Sequence, residues 1–198
     1  MALAQLNISI ELREISLKDR PKDLLKISSK GTVPVFIINK NEILDESLEI
    51  MLWAISNSES NWLEIEKQQQ LSLINNNDNN FKYSLDRYKY HDRYPENNFE
   101  TYQKLCSDFL LEYDNMLKNN IFLFGSVCQL ADIAIFPFIR QCAKVNPVWF
   151  DANFIHLSKW LNIISSSELF LTIMKKYEIW NPLNNINIIK YTSINITN

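Results

Sequence analysis

The sequence predicts a small α/β unit over residues 1–56, followed by an all-helical domain over residues 62–183. Short β-branched runs alternate with short helical patterns up to residue 55, which is typical of an α/β unit. The polar stretch SNSESN then separates this unit from the rest of the chain. Beyond it, apolar residues recur every three or four positions, which predicts helices. Residues 184–198 show no helix caps and are predicted to form a loose tail.

The elements of the α/β unit follow one another closely. Residues 1–6 have the character of the last turns of a helix, and Asn7 is a residue at which a helix can stop. Apolar and polar residues alternate from Ile8 to Ile15, which predicts a strand. The remaining predicted elements are a helix after Pro21, a strand over 33–38, a turn at 39–41, a return strand over 42–44 and a helix over 47–55.

The second domain is predicted to contain helices throughout. The asparagine run NNNDNN at 75–80 is expected to separate the first helix of this domain from the second, since asparagine competes for backbone hydrogen bonds. The segment LADIAIFPFI is apolar nearly all round and is predicted to be the buried centre, with a kink or an early end at Pro137. The predicted helices are 62–74, 81–94, one from Phe99 to Leu117, the buried one, and two near 154–164 and 167–179.

Composition excludes several kinds of site. A net charge of −3 gives no reason to expect a nucleic-acid partner. Two glycines cannot build a phosphate loop or a dinucleotide fingerprint. His91 and His156 lie far apart without a cysteine or acid at ligand spacing, so no metal site is expected.

The compartment is inferred from the cysteines and from the apolar runs. Cys106, Cys128 and Cys142 are an odd set without paired spacing, typical of buried thiols in a reducing compartment. No apolar run is long enough to span a bilayer, and no signal peptide precedes the first strand. The sequence therefore predicts a cytoplasmic protein without membrane contact.

Two short motifs suggest a ligand site. Pro34 follows Val33 at the head of a strand, where an ordinary trans proline on an edge strand is one explanation and a cis bond the other. Glu46 and Ser47 open the next helix, whose N-terminal N–H groups suit a carboxylate, although a plain acidic N-cap is also common.

Taken together, the motifs resemble those of one family. The segment SSKGTVPVFIINKNEILDESLEI looks like the glutathione-binding half of the N-terminal domain of glutathione transferases, which has a thioredoxin-like fold. GSVCQLADIAIFPFIRQCA is similar to the buried-helix motif of that family's all-helical C-terminal domain. The resemblance covers roughly residues 1–180 and implies a thioredoxin-like domain followed by a helical one.

The resemblance implies roles for particular residues. The backbone of Val33, beside cis Pro34, would hold the cysteinyl part of glutathione. Glu46 and Ser47 would hold the γ-glutamyl end, and Lys30 would reach the glycyl carboxylate.

An unknown electrophile would then be the second substrate. By the resemblance it would lie beside the helical stripe of Tyr83, Arg87, Tyr90 and Tyr94, in a cleft between domains. A solvated amphipathic helix is the simpler interpretation of the same stripe. Relatives usually form homodimers, so a homodimer is a further expectation.

Two departures from the family pattern stand out. In the family, the catalytic Tyr, Ser or Cys lies at the end of the first strand or the start of the first helix. By the resemblance, Met1–Ala4 matches the middle of that helix. No catalytic residue is therefore assigned in this chain, and a sheet without its first strand is expected. A start site inside a longer gene product is the favoured explanation; a fragment and a degenerate binding protein are the others. Gln129 replaces the usual capping Ser or Thr, while Asp132 is predicted to cap the buried helix.

Two functions therefore stay open at this stage. One is a glutathione transferase that conjugates glutathione to an electrophile or reduces a mixed disulfide. The other is a non-catalytic binding or scaffold protein of the same fold, or an inactive fragment.

Overall fold

A computed structural model of the chain describes residues 1–183, 186–191 and 196. Their packing divides into two compact units. One comprises Met1–Ser60 together with the described residues from Glu168 to Tyr191, and the other comprises Asn61–Ser167 and Ile196. The domain bounds 1–56 and 62–183 stay a prediction, and the observed division differs from them by placing residues after 167 with the first unit.

Short strands occur in the first unit and helices in both. The strands are β1 Ile10–Glu11, β2 Phe36–Asn39, β3 Glu42–Leu44 and β4 Ile188–Ile189. The helices are α1 Ala2–Gln5, α2 Lys22–Ile27, α3 Ser47–Ser56, α4 Lys67–Asn76, α5 Lys82–Lys89, α6 Phe99–Met116, α7 Leu130–Val145, α8 Pro147–Asn153, α9 Ile155–Ser166 and α10 Glu168–Ile173. A π-helical turn, Asn77–Phe81, joins α4 to α5, and a 3₁₀ turn, His91–Arg93, follows α5.

The strands of the first unit form two antiparallel pairs. In the β2–β3 hairpin, Phe36 lies opposite Leu44. The hairpin forms around the predicted turn, although β2 covers Phe36–Asn39 and not the expected 33–38. The strand expected from Ile8 to Ile15 is only two residues long, and it pairs with β4, Ile10 opposite Ile189.

The tail prediction is corrected at β4. This part of the tail is ordered into a strand because β1 offers it backbone hydrogen-bond partners along a free edge. The bond from the Leu12 N–H to the Asn187 carbonyl, 2.9 Å, extends the pairing. Tail residues 184–185, 192–195 and 197–198 lie outside the described residues.

The core of the first unit is built around α3. Ile50 and Ala54, four residues apart, are buried on one face of this helix. The ring of Trp53 meets the ring of Phe36 edge to face, with centroids 4.9 Å apart, and so packs the helix on the hairpin. Only Asp45 and Glu46 separate β3 from α3, so the first turn of α3 lies next to the end of β3.

The expected break at the asparagine run is wrong. The backbone continues from α4 through the π-helical turn into α5 without leaving helical geometry. Asn79 and Asn80 turn their amides back along the helix, donating to the Asn75 carbonyl at 2.9 Å and the Asn76 side-chain oxygen at 2.7 Å. Burial of Ile74 and Phe81 on either side holds this segment to the core, and packing outweighs the weak helix propensity of asparagine.

The helix α7 lies at the centre of the second unit. It runs through Pro137 to Val145, so the expectation of an early end at the proline is wrong. It is buried on most sides, as its sequence predicts, and the side chains concerned are Leu130, Ala131, Asp132, Ile133, Ala134, Ile135, Phe136, Ile139, Cys142 and Ala143. Burial on most sides of the helix offsets the loss of one backbone hydrogen bond at the proline.

Asp132 caps this helix, as predicted. One of its oxygens accepts the Gln129 N–H at 2.9 Å. The other accepts the Leu123 N–H at 2.9 Å and the Trp160 indole N–H at 2.7 Å. The carboxylate therefore ties the loop before α7 and the helix α9 to the start of the buried helix.

Within the described part of the chain, no helix combines the length and the apolar character that crossing a bilayer requires.

Candidate functional site

The β2–β3 hairpin brings the two predicted motifs to one end of the first unit. Because the strands are antiparallel and Phe36 lies opposite Leu44, the chain entering β2 and the chain leaving β3 meet at the same end. Pro34 is two residues before that pair and Glu46 two residues after it. The register therefore places the Val33–Pro34 corner and the start of α3 at the same end of the hairpin.

The corner is formed by a tight and exposed segment. The Val33–Pro34 peptide bond is cis, and 47% of the Val33 surface is exposed. Gly31 precedes it with φ +59°, and a Cβ there would lie 2.8 Å from the Leu25 side chain. The positive φ favours a glycine at this turn.

The start of α3 provides donors for an anion. Glu46 is the N-cap residue in extended geometry, and its side chain makes no capping hydrogen bond. Ser47 is the first helical residue and is exposed. The N–H groups of a first helical turn lack partners within the helix and carry a partial positive charge, so this end suits a carboxylate.

A charge network surrounds that helix start. The Lys30 ammonium donates to Glu46 Oε1 at 2.5 Å and to Asp45 Oδ1 at 3.0 Å. The Ser28 hydroxyl donates to Asp45 Oδ2 at 2.8 Å. The bonds to Glu46 and Asp45 raise the pKa of Lys30, and the bonds from Lys30 and Ser28 lower the pKa of Asp45. One ammonium and two carboxylates leave a net negative charge at neutral pH.

Sequence reasoning missed two members of this network. No role is predicted from the sequence for Asp45 or for Ser28. The available signal was the hydroxyl two residues before Lys30 and the second acid next to Glu46. Neither spacing shows that a lysine 15 residues upstream reaches Asp45, since that contact is made by the fold.

The aromatic stripe on the second unit is split into two clusters. The Arg87 guanidinium lies 3.3 Å from the Tyr83 ring centroid and 4.6 Å from that of Tyr94. Tyr90 instead contacts Lys89 at 4.8 Å and Arg93 at 4.5 Å.

The split has a local cause. The helix α5 ends at Lys89, and Tyr90, with φ −122° and ψ 38°, lies outside the helical geometry on which the predicted stripe depends. A substrate-side role for Tyr83, Arg87 and Tyr90 stays a prediction.

The cysteines do not line an open site. Cys106, Cys128 and Cys142 are all buried in the second unit. Among the residues that the structure describes, no three His, Cys, Asp or Glu side chains are grouped to hold a metal ion.

Comparison with known proteins identifies the fold and a family model that matches the N-terminal part of the chain. The fold is that of the glutathione transferases, with a small N-terminal sheet domain followed by a mostly helical one. Residues 1–62 match the family model described as the N-terminal domain of glutathione S-transferase. The predicted resemblance to this family and the predicted fold class are confirmed.

Three solved structures illustrate the likeness. Glutathione transferase F7 from Populus trichocarpa has a TM-score of 0.72 at 16% identity, over 87% of this chain and 89% of that one. Poplar glutathione transferase F1 has a TM-score of 0.69 at 19% identity, over 87% of this chain and 88% of that one. A possible glutathione S-transferase from Rhodopseudomonas palustris has a TM-score of 0.71 at 17% identity, over 91% of this chain and 86% of that one. No curated protein sequence matches the chain.

Proposed function

We propose that this protein binds glutathione at the hairpin end of its first unit. The observation that carries the proposal is the hairpin register, which brings the exposed Val33–Pro34 corner and the N-terminus of α3 to the same end of the hairpin. Glutathione offers a peptide backbone, a free ammonium and two carboxylates. An exposed strand entry next to a helix N-terminus is complementary to such a molecule.

Each part of glutathione has a partner in this arrangement. The backbone N–H and C=O of Val33 pair with the cysteinyl residue as a strand pairs with its neighbour. The Ser47 hydroxyl and the first N–H groups of α3 hold the γ-glutamyl carboxylate. Glu46 pairs with the γ-glutamyl ammonium. The site thereby positions the thiol of glutathione beside Pro34.

The chemistry that follows binding is conjugation to an electrophile or reduction of a mixed disulfide. Either reaction needs a group that stabilises the thiolate of glutathione or acts as a nucleophile. We assign no such group in residues 1–198. On the second unit, the exposed Tyr83 ring and the Arg87 cation form a surface that suits a flat or anionic electrophile.

A second candidate is a glutathione-binding protein without catalysis. The burial of all three cysteines favours it, since a buried thiol is a poor nucleophile. Cys128, whose pKa burial raises well above its usual value, illustrates the point.

Isothermal titration calorimetry with glutathione tests the binding step that both candidate functions share. The change is Ser47→Ala, with Ser56→Ala at the other end of the same helix as the matched control. We expect S47A to weaken binding about tenfold, since a hydrogen bond to a charged group is lost, and S56A to leave it unchanged. A wild-type protein that does not bind glutathione would refute the proposal, and so would equal affinities for the two variants. Turnover of an electrophile by the binding-competent protein then separates transferase from binding protein.

A further inference from the structure

The proposed glutathione site already contains a cation of its own. We propose that Lys30 is an internal counterion of Glu46, which the ammonium of an incoming ligand must displace, so that Lys30 controls the affinity of the site. This inference rests on the proposed function and concerns the regulation of the same site.

The hydrogen bonds show which carboxylate is free to respond. Asp45 has two partners, Ser28 on one oxygen and Lys30 on the other. Glu46 is bonded to Lys30 through Oε1, at the shorter of the two Lys30 distances. A ligand ammonium can therefore bind Glu46 fully only if the Lys30 ammonium moves or shares that oxygen. Asp45, fixed by Ser28, stays available to keep Lys30 nearby.

This role has the opposite sign to the role that family resemblance implies. If Lys30 held the glycyl carboxylate of glutathione, removal of its charge would weaken binding. If Lys30 competes with the ligand ammonium for Glu46, removal of its charge would strengthen binding, because the Glu46 carboxylate becomes free. A single substitution therefore separates the two roles.

The expected effect is small because the groups are exposed. The Lys30 side chain is 49% exposed and that of Glu46 60% exposed, so water and salt screen the pair. Exposed ion pairs change equilibria by a factor of about two to five. A gain of this size should shrink as salt is added, since the competing attraction is screened.

The experiment is a glutathione titration of the full chain carrying Lys30→Met, which keeps the length of the side chain and removes its charge. Lys26→Met is the matched control. Lys26 also forms an exposed ion pair, with its Nζ 2.9 Å from Asp23 Oδ1, and this pair does not include Glu46. We expect K30M to bind glutathione about two- to fivefold more tightly than wild type and K26M to bind equally. With N-acetylglutathione, which lacks the ammonium, the gain of K30M should vanish.

Each outcome has one meaning. A wild-type protein that binds glutathione while K30M binds it equally or more weakly overturns the counterion role. A K30M gain that persists with N-acetylglutathione also overturns it, because Glu46 would then not be the group released. A wild-type protein that does not bind glutathione overturns the proposed function itself.

Discussion

The side-chain oxygen of Gln70 accepts a hydrogen bond from the backbone N–H of Ala131, 61 residues further along the chain, at 3.1 Å. The Gln70 amide nitrogen donates to the carbonyls of Ile65 at 2.7 Å and Trp62 at 3.2 Å. Gln70 is fully buried. A residue of α4 thus completes the first turn of α7 and ties it to the segment before α4.

Replacement of this glutamine should destabilise the second unit. In Gln70→Met, the buried N–H of Ala131 and the carbonyl of Ile65 lose the Gln70 side chain as a partner while its volume is kept. The Trp62 carbonyl still accepts the Leu130 N–H at 3.1 Å. An unsatisfied buried polar group costs about 1–3 kcal/mol, so we expect the free energy of unfolding to fall by that amount. Urea unfolding followed by circular dichroism measures it.

The neighbouring Gln69 supplies the control. It is exposed and has the same helix propensity, so Gln69→Met should change the free energy of unfolding by less than about 0.5 kcal/mol. Equal losses in the two variants would show that the cost comes from methionine in the helix and not from the bond to Ala131.

Asp132 should make stability depend on pH. Burial raises its pKa from 3.8 to about 6 in the folded protein, against the effect of its hydrogen bonds. Between these values the folded state holds the proton more tightly than the unfolded state does. The contribution of Asp132 to the free energy of unfolding therefore falls as pH rises through this window, by about 3 kcal/mol.

The comparison of wild type with Asp132→Asn isolates this contribution. The variant loses hydrogen bonds at every pH but has no titrating group, so the stability advantage of wild type should be largest near about pH 4 and shrink toward about pH 7. Asp108→Asn, at an exposed position, is the control. A wild-type advantage that grows with pH would mean that the three donors outweigh burial.

The three thiols should be inert in the folded protein. Burial raises the pKa of Cys128, and a hydrogen bond with Cys106 together with burial raises that of Cys142. Because the thiolate is the reactive form, an aromatic disulfide reagent should modify none of them quickly. In denaturing guanidinium it should modify all three cysteines.

An exposed thiol engineered into the loop before α7, close to Cys128, tests whether the reagent works on the folded protein. Ser126→Cys introduces one near Cys128 at an exposed position, and it should react at once in the folded protein. Rapid reaction of the wild-type protein would contradict the burial of its cysteines.

Much of the fold could be predicted because its signals are local. The hairpin around the asparagine turn, the helix after Ser47 and the buried helix from Leu130 all follow from short patterns of polarity. The failures involve competition between local preference and packing. Asparagine favours a break at 75–80, yet the buried Phe81 keeps that segment helical.

The candidate site shows the same division. Val33–Pro34 and Glu46–Ser47 were found because each is a short motif with its own chemistry. The link from Lys30 to Asp45 and Glu46 spans 15 and 16 residues and has no sequence signature. It exists because the hairpin and the turn at Gly31 bring these side chains together.

By itself, the sequence determined the order of the elements, the burial of α7 and the two motifs, because hydrophobic periodicity and turn chemistry act over a few neighbouring residues. Tertiary structure alone decided that Lys30 neutralises Glu46, that Gln70 caps α7 and that β4 joins β1. These contacts join residues far apart in the chain, and only the packing of whole elements brings their polar groups within hydrogen-bonding distance.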